Sequence, residues 1–220
     1  MSELDLVGDA VDQAITIDVT HRGIPRVLYD AARSKVGRPL SLVAAEEIMR
    51  RIEPARHVVI LTGFPERVDI KPTPETDGPA GAATLARALY VGFKVWPVIL
   101  CEDYFASMMK ATCTGAGLMP LTLQQIRKTK QPKSTAAVSV QGLPLRDTNR
   151  TPKNLAESII RELDPVCVIS VERAGGNDRK VLHNASGEDI SAAVVDTDSF
   201  FEAAKEAGIL TVGIGDGGNE

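Results

Sequence analysis

The sequence predicts an α/β fold: a mostly parallel sheet with flanking helices in a Rossmann-like layered sandwich, preceded by a helical N-terminal segment. Three observations predict it. Short apolar runs rich in β-branched residues recur at His57–Leu61, Val95–Leu100, Ala136–Val140, Val166–Val171 and Ile209–Ile214, as expected of strands buried on both faces. Segments of helical period alternate with them, which is the rhythm of repeated βαβ units. The loops that follow the strands are rich in glycine and acidic residues, and such loops gather at one edge of an open parallel sheet.

Leu4, Val7, Val11, Ala14 and Ile15 recur at helical spacing, so the chain opens with an amphipathic helix whose apolar side is expected to face the core. The polar stretch His21, Arg22, Gly23 reads as its stop. A second helix is expected over Leu42–Ile52, with Leu42, Ala45, Ile48, Met49 and Ile52 on one side. Residues 1–54 thus read as a helical lead-in packed on a main domain spanning 55–220, the two making one folding unit. His57–Leu61 runs as a strand into Thr62, Gly63, Phe64 and Pro65, and a helix begins at Asp77, Gly78, Pro79, where proline suits the first turn because that amide has no intrahelical acceptor. Helices near Asp103–Thr112, Pro152–Leu163 and Ser199–Ala207 complete the alternation, Gly208 ending the last of them.

With 220 residues, 44% hydrophobic and 4% aromatic, the chain can bury one substantial, mainly aliphatic core. A net charge of −4 gives no basic surface for a polyanion, so nucleic acid is not an expected partner. Cys101, Cys113 and Cys167 form no CxxC pair, and His21, His57 and His183 form no HxxxH or HExxH spacing, which leaves a zinc site or disulfide framework without support. No apolar run approaches the roughly 18 to 20 residues of a membrane span. The segment Met1–Asp9 carries Glu3, Asp5 and Asp9 and no Arg or Lys, the opposite of a targeting peptide, and the default expectation is a cytoplasmic protein.

The strand-end loops carry Thr62 and Gly63 after one strand, Glu172 and Arg173 after another, and Gly215, Asp216, Gly217, Gly218, Asn219 and Glu220 after the last. Several segments resemble, in order, the D-glutamate cyclases and the bacterial proteins that share their C-terminal domain. They are GIPRVLYDAAR (23–33), LTGFP (61–65), ETDGPAGA (75–82), SVER (170–173), GEDIS (187–191) and GIGDGGNE (213–220). The resemblance covers nearly the whole chain, and ETDGP and GDGGNE are its specific parts. It implies a lyase that cyclises D-glutamate to 5-oxo-D-proline with loss of water, and it places some relatives in the mitochondrial matrix. It also implies a longer polypeptide, because family members continue past GDGGNE into a further helix. A truncated and inactive homologue is therefore one expectation for this chain.

That reaction needs a base for the amine, an acid for the departing oxygen and donors for oxyanion charge. The resemblance assigns the proton transfers to Asp216, Glu220 and Glu172. If the last strand turns into a helix at Gly217, Asp216 and Glu220 project to the same point four residues apart. Substrate contacts are expected from Thr62, Gly63, Glu75, Asp77 and Gly78, from the Gly217 and Gly218 amides, from Asn219, and from Arg173 as a bidentate fork on the α-carboxylate. Plainer readings stand beside these. Terminal glycines serve as turn punctuation, Asp77 as a helix cap, Glu172 and Arg173 as a structural ion pair, and Glu75 as a solvated loop residue. His57, His183 and the buried Cys101 read as structural.

No cofactor is required by the sequence. The carboxylates Asp77, Glu172, Asp216 and Glu220 suit a divalent cation such as Mg²⁺, with Asp77 and Asp216 the foremost ligand candidates. The competing class is a non-catalytic module for a phosphate, nucleotide or acidic metabolite; the chain has neither GxxxxGK[ST] nor GxGxxG after its first strand. The expected partner is a small acidic metabolite, without nucleic acid or membrane, in a protein that can form a homo-oligomer.

Overall fold

Alternating strands and helices organise the chain around one parallel sheet. The computed structural model describes residues 2–19, 21–129, 131–147 and 149–220. The first half runs α1 (Glu3–Ile15), α2 (Ile24–Val36), α3 (Leu40–Arg51), β1 (His57–Thr62), β2 (Pro65–Glu66), β3 (Thr73–Pro74), α4 (Asp77–Phe93) and β4 (Trp96–Glu102). A 3-10 turn at Asp103–Phe105 leads to α5 (Ala106–Gly115), β5 (Met119–Pro120), α6 (Leu123–Thr129), β6 (Ala137–Leu143), α7 (Pro152–Leu163), β7 (Cys167–Val171), α8 (Asp198–Glu206) and β8 (Leu210–Ile214).

The sheet order is β5-β6-β4-β1-β7-β8, and each neighbouring pair is parallel. From β1 the chain moves outward through β4 on one side, and it returns across the sheet to place β7 and β8 on the other. The carboxyl ends of β1 and β7 therefore flank a topological switch point, the place where open α/β sheets leave a crevice for ligands.

Period-two alternation in β1 sends Val58 and Ile60 into a core shared with α4 and α5, and Val59 and Leu61 into a second core shared with α7 and α8. The strands read as continuous apolar runs because both faces are covered. A third, smaller cluster of Phe64, Ala174, Leu182, Ile190 and Val194 ties the β1–α4 connection to the long excursion between β7 and α8. Two isolated bridges, Gly176 to Leu182 and His183 to Asp189, give that excursion internal structure. These two connections form walls above the carboxyl edge.

The lead-in helices correct two expectations. The stripe of Leu4, Val7, Val11 and Ile15 lies exposed, while Gly8 and Asp12 are the buried residues of α1. A side chain at Gly8 would collide with Pro39 and Leu42, so the absence of a Cβ sets the helix contact. Asp12 accepts from the Leu40 and Ser41 amides at 2.7 and 3.0 Å and from the Tyr29 hydroxyl at 3.0 Å, capping α3 from a neighbouring helix. The first helix stops at Ile15, earlier than the polar His21–Gly23 stretch expected to end it, and that stretch leads into α2, which has Pro25 in its first turn. Ile48 and Ile52 of α3 pack against the sheet core.

Candidate functional site

The crevice is built on an ion pair that crosses beneath it. Arg173, two residues past the end of β7, is buried, and its guanidinium meets both oxygens of Glu102, the last residue of β4, at 2.6 and 2.6 Å. It also donates to the Gly63 and Val195 carbonyls at 2.9 and 2.8 Å and to the Thr197 hydroxyl at 3.2 Å. Glu102 additionally accepts from the Val195 amide at 2.8 Å. One side chain thus locks the ends of β1, β4 and β7 and the approach to α8. This corrects the expectation that Arg173 grips a substrate carboxylate: its donors are spent inside the protein, and 1% of the side chain is exposed. The structural ion pair is made, with Glu102 in place of the adjacent Glu172.

Arg173 turns inward and Glu172 is left at the crevice. Glu172 has φ of 44°, a left-handed conformation that costs a residue with a side chain about 1–3 kcal/mol and persists where neighbours impose it. Here its amide donates to the Ile214 carbonyl at 3.0 Å, and the Arg173 brace follows immediately. Burial, then the charges of Glu220, Glu75, Asp216 and Asp77, push the Glu172 carboxyl up to about 8. Glu75 behaves alike: burial first, then Asp77, Glu66, Glu220 and Asp216, push it up to about 8. The reading of Glu75 as a solvated loop residue is corrected, because it is half-buried and its Oε1 is buried without a hydrogen-bond partner among the described residues. Two carboxyls that hold their protons at neutral pH now face others in one crevice.

The terminal loop brings Asp216 and Glu220 together without the expected helix. Residues 215–220 form bends, and the Glu220 side chain folds back to accept from the Gly217 amide at 3.0 and 3.1 Å and the Gly218 amide at 2.8 Å. The glycine amides expected to serve an oxyanion are therefore engaged by Glu220. Asn219 is likewise a tether, its amide group donating to the His183 carbonyl at 3.2 Å. Asp216 accepts from Arg22 at 3.0 Å on each oxygen, and Leu28 of α2 lies against Gly218, so the lead-in helps form the site.

Thr62 is fully buried, and its Oγ1 has no hydrogen-bond partner among the described residues. It faces Gly78, where an added Cβ would lie 2.9 Å from the Glu172 Cβ and 3.1 Å from that hydroxyl. Only glycine lets the start of α4 approach so closely. Gly63, with φ of 110°, gives its carbonyl to Arg173. Asp77 is exposed and is the first residue of α4 rather than its cap: Thr76 takes the cap position with no side-chain capping bond, and the Asp77 carboxylate accepts from the adjacent Gly78 amide at 2.9 Å and adds to the field on Glu75 and Glu172.

Glu172, Asp216 and Glu220 place carboxylate oxygens within 4.8 Å of one another, a spacing that suits a divalent cation with oxygen ligands. Asp77, expected in that set, is outside it, whereas Asp216 is inside. Cys101 is buried, and burial, then Glu102, pushes its thiol up to about 12, leaving it no role as a nucleophile. His57 binds the Leu163 carbonyl through Nδ1 at 2.8 Å, a structural contact. Sequence reasoning missed Glu102 and Arg22. Glu102 ends an apolar strand as a charged residue, which was a usable signal, whereas Arg22 meets Asp216 only through the fold.

The architecture and the crevice define an α/β protein with a carboxylate-rich site at its sheet's switch point. The chain belongs to the family described as D-glutamate cyclase-like, C-terminal, which matches residues 11–220. It is 30% identical over 211 residues to the mitochondrial D-glutamate cyclase of Homo sapiens, an alignment that covers 96% of this chain and 30% of that protein. The chain therefore spans less than a third of that relative's length. Among solved structures it is similar to isopentenyl phosphate kinase, at 10% identity and a TM-score of 0.44 over 74% of this chain and 92% of that one. It is also similar to the universal stress protein from Archaeoglobus fulgidus, at 13% identity and a TM-score of 0.34 over 73% of this chain and 98% of that one. No helix among the described residues is long and apolar enough to cross a membrane.

Proposed function

We propose that the crevice cyclises D-glutamate to 5-oxo-D-proline. The observation that carries this reading is the meeting of Glu172, whose carboxyl is pushed up to about 8, with Glu220 and Asp216 in one crevice of a D-glutamate cyclase-like chain. The substrate ammonium gives a proton to Glu220, and the freed amine attacks the side-chain carboxyl carbon. Glu172, still protonated at neutral pH, hydrogen-bonds and protonates that carboxyl, making its carbon electrophilic. A C–N bond forms and one C–O bond breaks. The departing oxygen leaves as water with two protons that come, in balance, from the original ammonium. Glu75 and Asp77 supply the surrounding field, and Asp216, held by Arg22, fixes the loop that carries Glu220.

A divalent cation on the Glu172, Asp216 and Glu220 oxygens would stand in place of Glu172's role as the acid: bound there, it would supply positive charge to the substrate carboxyl, with Glu172 ionised as a ligand. Incubation of the folded chain with D-glutamate, followed by mass spectrometry for 5-oxoproline, tests the reading. Product from the native sequence and a loss of at least 100-fold in Glu172→Gln, the scale of a lost general acid, are the expected outcome. Product formation unaffected by that substitution would remove Glu172 from the mechanism, and its absence from a folded native protein would remove the reading.

A further inference from the structure

Beside the carboxylate crevice, between the carboxyl halves of β7 and β8 and the start of α8, lies a cavity of about 360 Å³. Ser170 and Gly213, paired across the register of those strands, contribute to its lining, as do Lys180, Asp198, Glu202 and Glu220. The small residues leave room that larger side chains would fill. Glu220 belongs to both spaces, lining the cavity and meeting Glu172 and Asp216 in the crevice. The main chain of Glu220 lies with the Asp198 carboxylate around Gly175, so the cavity and the crevice share this residue.

The charges of the lining have two signs. Of its two cations, Arg173 is committed to Glu102, which leaves Lys180. The loop before it is folded to present it: Asn177 accepts the Arg179 and Val181 amides on its side-chain oxygen at 2.8 and 3.1 Å and the Lys180 amide on its carbonyl at 2.8 Å. Lys180 itself has φ of 59°, the left-handed residue that closes this turn, across which the Asn177 amide donates to the Val181 carbonyl at 3.1 Å. Its ammonium meets Glu202 at 3.3 Å, with 66% and 57% of the two side chains exposed. An exposed pair of this kind contributes at most about 1 kcal/mol, so a ligand carboxylate can take Glu202's place at small cost. Asp198, half-buried on the opposite charge class, accepts the Gly176 amide at 3.0 Å.

We propose that this cavity holds the amino acid as a zwitterion, its α-carboxylate on Lys180 and its ammonium between Asp198 and Glu220. The assignment rests on the cyclase reading for the reaction but stands separately as a binding site. The placement puts the nitrogen beside Glu220 and leaves the side chain to extend toward Glu172. Lys180 is then a positioning residue, replacing the role that Arg173 cannot fill.

Titration calorimetry with two probes tests it. D-glutamate carries the α-carboxylate; 4-aminobutyrate is the same skeleton without it. Lys180→Met is expected to weaken D-glutamate by about tenfold, equivalent to one charge-assisted contact of ~1.4 kcal/mol, and to leave 4-aminobutyrate unchanged. Lys180→Arg should retain most of the D-glutamate affinity, and Glu202→Gln should tighten it by removing the competing carboxylate. Equal weakening of both probes by Lys180→Met, weakening of neither, or no binding of D-glutamate to the native chain would overturn the proposal. A parallel assay for 5-oxoproline separates the two readings. The predicted binding pattern without turnover would uphold the cavity and sink the cyclase reading, whereas turnover whose KM ignores Lys180→Met would do the reverse.

Discussion

Replacing Glu75 with glutamine removes a proton-binding group while keeping its shape, and the structure sets the size and sign of the effect. Burial, then Asp77, Glu66, Glu220 and Asp216, raise the Glu75 carboxyl from 4.5 to about 8. In the unfolded chain it titrates near its ordinary value. Between the two, the folded protein holds a proton that the unfolded chain has lost, so stability falls as pH rises through this window and levels off above about 8. From pH 5.5 upward roughly 2.5 pH units of the window remain, at ~1.36 kcal/mol per unit, an upper bound of roughly 3.4 kcal/mol. Glu75 is half-buried, and solvent screening reduces that to roughly 1–2 kcal/mol. For a chain of this size the difference corresponds to roughly 2–8 °C in Tm. Thermal melts of native protein and Glu75→Gln at pH 5.5, 7 and 9 read it: the native protein should lose that much more Tm than the variant across the range. Parallel losses in the two proteins would refute the reasoning, because any general pH effect is common to both.

Arg173→Met should destabilise the protein by about 3–5 kcal/mol in urea unfolding, since it strands the buried Glu102 carboxylate that Arg173 neutralises; a loss below about 1 kcal/mol would show that the brace is dispensable. Gly78→Ala places a Cβ 2.9 Å from that of Glu172 and should cost about 1–3 kcal/mol in melts or urea unfolding while displacing Glu172 from Glu220. Gly81→Ala, three residues along the same helix, meets only Val171 at 3.4 Å and should be neutral or stabilising by its helix propensity. Equal effects at the two glycines would contradict the close approach.

The sheet was legible because its strands are apolar on both faces and its helices begin and end with strong signals, such as Thr151 and Pro152 at the start of α7. The carboxyl edge was legible for the same reason: strand ends name the loops, and those loops carry Thr62, Glu172 and the terminal acidic residues. Side-chain direction at those ends was not. Glu172 and Arg173 are adjacent, yet one faces the crevice and the other the interior, a choice made by Glu102, 71 residues away. The apolar stripe of α1 misled because close packing at Gly8, and not hydrophobicity, sets which side meets α3. Likewise the site's second acid, Glu75, owes its raised carboxyl first to burial, then to the nearby Asp77 and Glu66 and to Glu220 and Asp216 of the terminal loop, and burial and the last two arise only on folding.

Following the substrate's side-chain oxygens tests the proposed ring closure most directly. D-glutamate labelled with two ¹⁸O atoms in the side-chain carboxylate, incubated with the folded chain, should yield 5-oxoproline that retains one label, the other leaving in water, and Glu172→Gln should suppress this product. Enzyme-dependent product that has lost both labels to solvent, or no 5-oxoproline from a native chain that binds D-glutamate, would contradict amine attack on that carboxyl carbon in the Glu172–Glu220 crevice.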